Sequence, residues 1–143
     1  MSKLLNTLYK RANKKGVAIA KNYTDWYGDK LDEPEEKYRI EIYDNNGVRT
    51  TNLYHYETLT LSVEEQNGKY TIKALYGESI SDSRSIADVL SLVVGSQYCP
   101  IGLTYREARG GFGLVDSKCK HYMQEDYKNN DDFIAKANEL LKA

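Results

Sequence analysis

The alternation of apolar and polar positions is clearest in the middle of the chain. In KYRIEIYDNNGVRTTNLYHY, residues 37–56, two alternating runs flank Asn46-Gly47, a dipeptide that strongly favours a two-residue type I′ turn. That turn sets Asn45 against Val48. Ile42, Ile40 and Tyr38 then face Thr51, Leu53 and His55, and the opposite face pairs Tyr43 with Thr50, Glu41 with Asn52 and Arg39 with Tyr54. A second signal, Asn67-Gly68, sets Gln66 against Lys69, Val63 against Ile72, Leu61 against Ala74 and Leu59 against Tyr76. Its other face pairs Ser62 with Lys73 and Thr60 with Leu75. Both registers put Leu53, Leu59, Leu61 and Val63 on one side of a single long strand, which makes a three-stranded meander. His55 and Glu57 land on that apolar side, so the pattern calls for a bulge or bend that turns Tyr54 or Tyr56 inward.

Helical periodicity brackets the meander. Leu4, Leu5, Leu8 and Ala12 share one face of a helix over 2–15, with Ser2 as its N-cap and Gly16 as its stop. Ile86, Val89, Leu90 and Val93 predict a helix over about 83–94, capped within Ser81–Ser83 and ended by Gly95. NDDFIAKANELLKA predicts a closing helix with Phe133, Ala137, Leu140 and Leu141 inward and Asn130 or Asp131 as cap. Residues 17–23 fit either a strand or a helix. TDWYGDKLDEPEE reads as a helical turn entering an acidic loop that Pro34 stops. IGLTYREARGGFGLVDSK reads as a further hairpin turning near Arg109–Gly111.

The fold class expected is α+β: an antiparallel sheet of about five strands, a three-stranded meander plus a hairpin. The N-terminal, middle and C-terminal helices pack mainly on one face, which leaves the other at least partly open to solvent or a partner. No repeat or linker divides the 143 residues, so 1–143 is read as a single domain.

Charge alters this picture locally. Residues 1–21 carry six cations and no acid, whereas 22–36 carry six carboxylates against Lys30 alone. The net charge of −1 gives no domain-wide basic balance, so nucleic acid is not the expected partner. No apolar run approaches the roughly 20 residues of a membrane span, and the charged N-terminus lacks a secretory apolar stretch. A cytoplasmic location is the expectation, with the two cysteines reduced.

Candidate chemistry is sparse. Cys99, Cys119, His55 and His121 have the donor types of a zinc site but not the spacing, so no metal or cofactor is expected. Either thiol paired with a histidine is the minimum for a small Cys/His enzyme, yet neither sits in a nucleophile motif, and both read as buried and inert. RGGFG, residues 109–113, lacks the Lys-Ser/Thr of a P-loop. It reads first as a turn needing positive φ. With Arg106 and Arg109 beside Gly110 and Gly111 it is also the best anion site in the chain.

Binding residues are easier to nominate. Arg39, Glu41, Tyr43, Tyr54, Tyr56 and Lys73 project from the open sheet face, and Trp26 and Tyr27 sit among carboxylates. Tyr, Trp and Arg are the side chains that most often anchor protein interfaces. The function expected is a small non-enzymatic protein-binding module, with a possible homo-oligomer. Binding or sequestering a nucleotide or other small anion at Arg106–Gly111 is the alternative. The small size, 13 tyrosines and 14 lysines against 6 arginines point to AT-rich coding. In that style the chain is similar to phage or mobile-element proteins that inhibit host machinery, including anti-defence proteins.

Overall fold

Asn46-Gly47 and Asn67-Gly68 form two tight turns, each with positive φ at both residues. The computed structural model describes residues 2–95 and 99–142. Five strands follow one another through one antiparallel sheet in the order β1-β2-β3-β4-β5. They are β1 (Val17–Thr24), β2 (Lys30–Asn45), β3 (Val48–His55), β4 (Thr58–Gln66) and β5 (Lys69–Leu75). The β2–β3 register is the one the turn dictates, from Asn45 opposite Val48 to Tyr38 opposite His55.

Three expectations are corrected within this sheet. The single long strand folds back on itself at Tyr56-Glu57, where the pattern calls only for a bulge or bend, and φ values of 47° and 69° make a full turn without glycine. The meander therefore gains a strand. A bulge at Thr60 pairs Tyr54 with Leu59 and buries Thr60, which leaves Leu53 and Leu61 together on the inner face. Across β4–β5 the predicted register holds from Gln66/Lys69 to Val63/Ile72. A shift at Lys73 then pairs Ser62 with Ala74 and Leu61 with Leu75, so Lys73 is an exposed bulge residue. In each case burying the larger apolar side chain outweighs uninterrupted pairing.

The third correction is the acidic segment. Residues 17–23 are strand, and TDWYGDKLDEPEE is the end of a long β1–β2 hairpin rather than helix and loop. Asp25 builds its turn: one carboxylate oxygen accepts the N–H of Tyr27 at 2.9 Å and of Asp29 at 3.0 Å. Pro34 does not end the element. It lies in the irregular stretch between Asn22/Glu35 and Thr24/Lys30, where no ladder bond is demanded of it.

Helices α1 (Lys3–Lys15), α2 (Ile80–Val94) and α3 (Asn130–Leu141) complete the core. Ser2 and Gly16 cap α1 as read from the sequence, but α2 is capped earlier, by Ser79, and α3 by Asn129. Leu5, Leu8, Ile86, Val89 and Leu90 join Ile40, Leu53, Leu61 and Ile72 in one buried cluster. The predicted second hairpin forms β6 (Gly102–Arg106) and β7 (Gly111–Val115), joined by an unforeseen β8 (His121–Met123). These make a separate three-stranded sheet instead of extending the first. Phe112 of β7 meets Phe133 of α3 edge to face, ring centres 6.0 Å apart, which ties the second sheet into the core.

Candidate binding surfaces

The β1–β2 hairpin carries the most exposed large hydrophobic side chains among the described residues. Trp26 is 95% and Tyr27 87% accessible at its tip, with Tyr23 also exposed below them. Asp25, Asp29, Asp32, Glu33, Glu35 and Glu36 surround these rings with Lys30 as the one cation from 22 to 36. At the base of the hairpin, Asn22 donates to the Tyr56 hydroxyl at 2.9 Å, linking it to the β3–β4 turn. A tryptophan held out by the Asp25-based turn contributes nothing to the core.

On the open sheet face, Arg39 lies over the Tyr54 ring at 4.1 Å and bonds Glu36 at 3.1 Å. Its Nε sits 3.5 Å from Glu41, buried and without a hydrogen bond. Arg39, Glu41 and Tyr54 are thus engaged with one another, and Asn52 beside them is buried. Tyr43 is the freely presented ring of this face, while Lys73 stands apart in its bulge.

The third feature had no counterpart in the sequence reading. His55 faces inward from the end of β3, and its Nδ1 lies 2.7 Å from the Asp82 carboxylate. The two side chains are only 9% and 7% exposed. The imidazole stacks on Tyr38 with centres 4.6 Å apart and meets Tyr56 at 4.7 Å on its other flank. Burial pushes the Asp82 carboxyl up, but hydrogen bonds from His55 and from the Glu78 N–H, with the His55 charge, bring it below the ordinary carboxylate value. The pair opens on a concavity of about 570 Å³ lined also by Trp26, Lys37, Tyr56, Thr58 and Ser81. The one signal for it was His55 falling on the apolar face, since Asp82 lies 27 residues away.

Arg106 and Arg109 do come together. They share a concavity of about 210 Å³ with Thr104, His121 and Met123. Gly110 and Gly111 adopt φ of 92° and 78°, so the glycines serve the turn. His121, brought alongside by β8, is the member that sequence spacing missed.

Cys99 is half-buried, its thiol directed at the Ile101 carbonyl and pushed up in pKa by burial. Cys119 is exposed, which corrects the expectation of a buried thiol; it occupies a turn at φ 64°. Among the described residues no three His, Cys, Asp or Glu side chains converge as a metal site. No described helix is long and apolar enough to cross a membrane.

Comparison with protein-family models, with curated proteins and with solved structures finds no match to this chain.

Proposed function

We propose that this protein is a non-enzymatic binding module that grips a protein partner with the tip of its β1–β2 hairpin. The observation that carries the reading is the exposure of Trp26 and Tyr27 at the end of an acidic arm. An exposed aromatic pair costs solvation in the free protein and is worth most when a partner's pocket desolvates it. The flanking carboxylates specify a partner with a basic rim around that pocket, and they speed encounter with it. Tyr43 and the Arg39–Tyr54 pair extend the surface along the sheet. The small size and AT-biased composition favour a phage or mobile-element inhibitor of host machinery, acting in the cytoplasm, as the setting.

Trp26 is the single tryptophan of the chain, so its fluorescence reports on the arm directly. Proteins captured from a low-GC bacterial lysate by wild type, and lost with a folded Trp26→Ala/Tyr27→Ala variant, are the expected partners. Titrating such a protein back should shift Trp26 emission to the blue. Capture unaltered by the double substitution removes the arm from the interface.

A second reading rests on the Arg106–Arg109–His121 cleft. Among the described residues neither arginine forms an ion pair, and no acid lines the concavity. Two arginines converging on a space of ionic size, with the Glu125 carboxylate outside it beside Gly110, favour a small anion or the phosphate of a nucleotide. A thermal upshift with inorganic phosphate or a nucleotide, abolished in Arg106→Ala/Arg109→Ala, is the expected result.

A further inference from the structure

The two edges of the five-stranded sheet are treated differently. Along β5, Asn138 of α3 clasps Ile72 with both ends of its amide: Oδ1 accepts the Ile72 N–H at 2.7 Å and Nδ2 donates to the Ile72 carbonyl at 2.9 Å. Asn130 donates to the Leu75 carbonyl at 3.0 Å. These amides occupy the backbone groups that an added strand would need, which is how folded proteins blunt a sheet edge.

Among the described residues the other edge has no such cover. β1 pairs with β2 alone. The Gly16 carbonyl accepts from Ile42 at 2.8 Å, which fixes the parity of the ladder. Ala18 and Ala20 turn their backbone groups toward β2, opposite Ile40 and Tyr38. Val17 and Ile19 turn theirs outward, and these two residues are 44% and 38% exposed.

We propose that a second copy of this chain adds antiparallel along β1, making a two-fold dimer with one continuous ten-stranded sheet. Charge selects this occupant. Lys14 and Lys15 close α1 immediately before β1, and Glu35 and Glu36 of β2 lie behind its far end, opposite Asn22 and Lys21, so the two ends of the edge differ in charge. An antiparallel copy reverses that order and sets the basic end of each protomer beside the acidic arm of the other. A dyad at Ile19 places Ile19 against its own copy and Val17 of each chain opposite Lys21 of the other. The apolar stem of Lys21 then covers Val17 while its ammonium stays in water. Dimerisation engages Glu35 and Glu36 at the base of the arm and leaves Trp26 and Tyr27 at its tip free for the arm's own partner.

Sedimentation equilibrium on the full chain tests it. Wild type should dimerise reversibly, and about tenfold more weakly in high salt than in low. Ile19→Pro deletes an outward N–H and leaves the β1–β2 bonds in place; a folded monomer is expected. Should that variant unfold, a charge swap decides. Lys14→Glu/Lys15→Glu and Glu35→Lys/Glu36→Lys should each weaken self-association, and an equimolar mixture should restore a heterodimer. A monomeric wild type, a folded Ile19→Pro dimer, or variants that the mixture does not rescue would overturn the proposal.

Discussion

Asp82 is buried beside a histidine yet held as a carboxylate. Its two oxygens receive His55 Nδ1 at 2.7 Å and the Glu78 N–H at 2.9 Å, so the charge stays satisfied where water is scarce. The folded carboxyl titrates below its ordinary value. Its contribution to stability is therefore full above the ordinary carboxylate pKa and is lost as pH falls through the lower, folded value. Replacing Asp82 by Asn keeps the shape and removes the charge. At neutral pH the substitution is expected to cost about 1.5–3 kcal/mol, as for a hydrogen bond to a charged group. The gap from wild type should narrow as the solution is acidified. Thermal unfolding across a series of buffers from neutral to acid checks both statements; a gap independent of pH would deny the carboxylate its role. His55 shows how far a single residue could be read. Strand alternation placed it inward, but nothing local named Asp82, because the partner arrives on the first turn of another element.

Among the elements, the turns differ in how plainly the sequence writes them. Asn46-Gly47 and Asn67-Gly68 supply residues that tolerate positive φ, and both hairpins form where expected. Tyr56-Glu57 adopts the same conformation with neither residue suited to it. What holds it is tertiary: Tyr56 packs against His55 and accepts from Asn22, and Tyr56 N–H donates to the Lys37 carbonyl at 3.0 Å. Backbone strain of this kind persists where surrounding contacts over-determine it. Glu57→Gly relieves the strain and is expected to raise stability by about 1 kcal/mol, measured by urea denaturation. A loss of stability would show that the Glu57 side chain itself supports the turn. The hairpin arm was misread for a related reason. Its strands bury little, so no alternation marks them, and Asp25 makes its turn with a side chain that sequence alone also permits in a helix cap.

At the scale of the whole molecule, Phe133 of α3 helps to tie the small sheet to the large one. Phe133 is fully buried between Phe112 of the small sheet and the residues beneath β5, with Tyr127 also against it at 5.6 Å. Gly77 permits this, since a Cβ there would stand 2.4 Å from the Phe112 ring. Phe133→Ala is expected to cost about 3–5 kcal/mol, the usual range for emptying a core aromatic site. Both sheets should lose stability together, because they share one buried cluster. Hydrogen exchange at β3 and β7 amides reads this directly. Loss of protection confined to β7 would mean that the small sheet unfolds on its own.

The sequence by itself determined what is local: the helical faces and their approximate limits, two turns with their registers, the inward row Ile40, Ile42, Leu53, Leu61 and Val63, and the α+β class. Each follows from periodicity or from backbone chemistry within a few residues. Only the tertiary structure decided what depends on distant competition. The fold-back at Tyr56, the bulges at Thr60 and Lys73, the separation of β6–β8 into their own sheet, the His55–Asp82 pair and the Arg106–His121 cleft all arise from elements meeting across the chain. Burying large apolar groups and satisfying buried polar ones are conditions on the packed whole, and no window of neighbouring residues contains them.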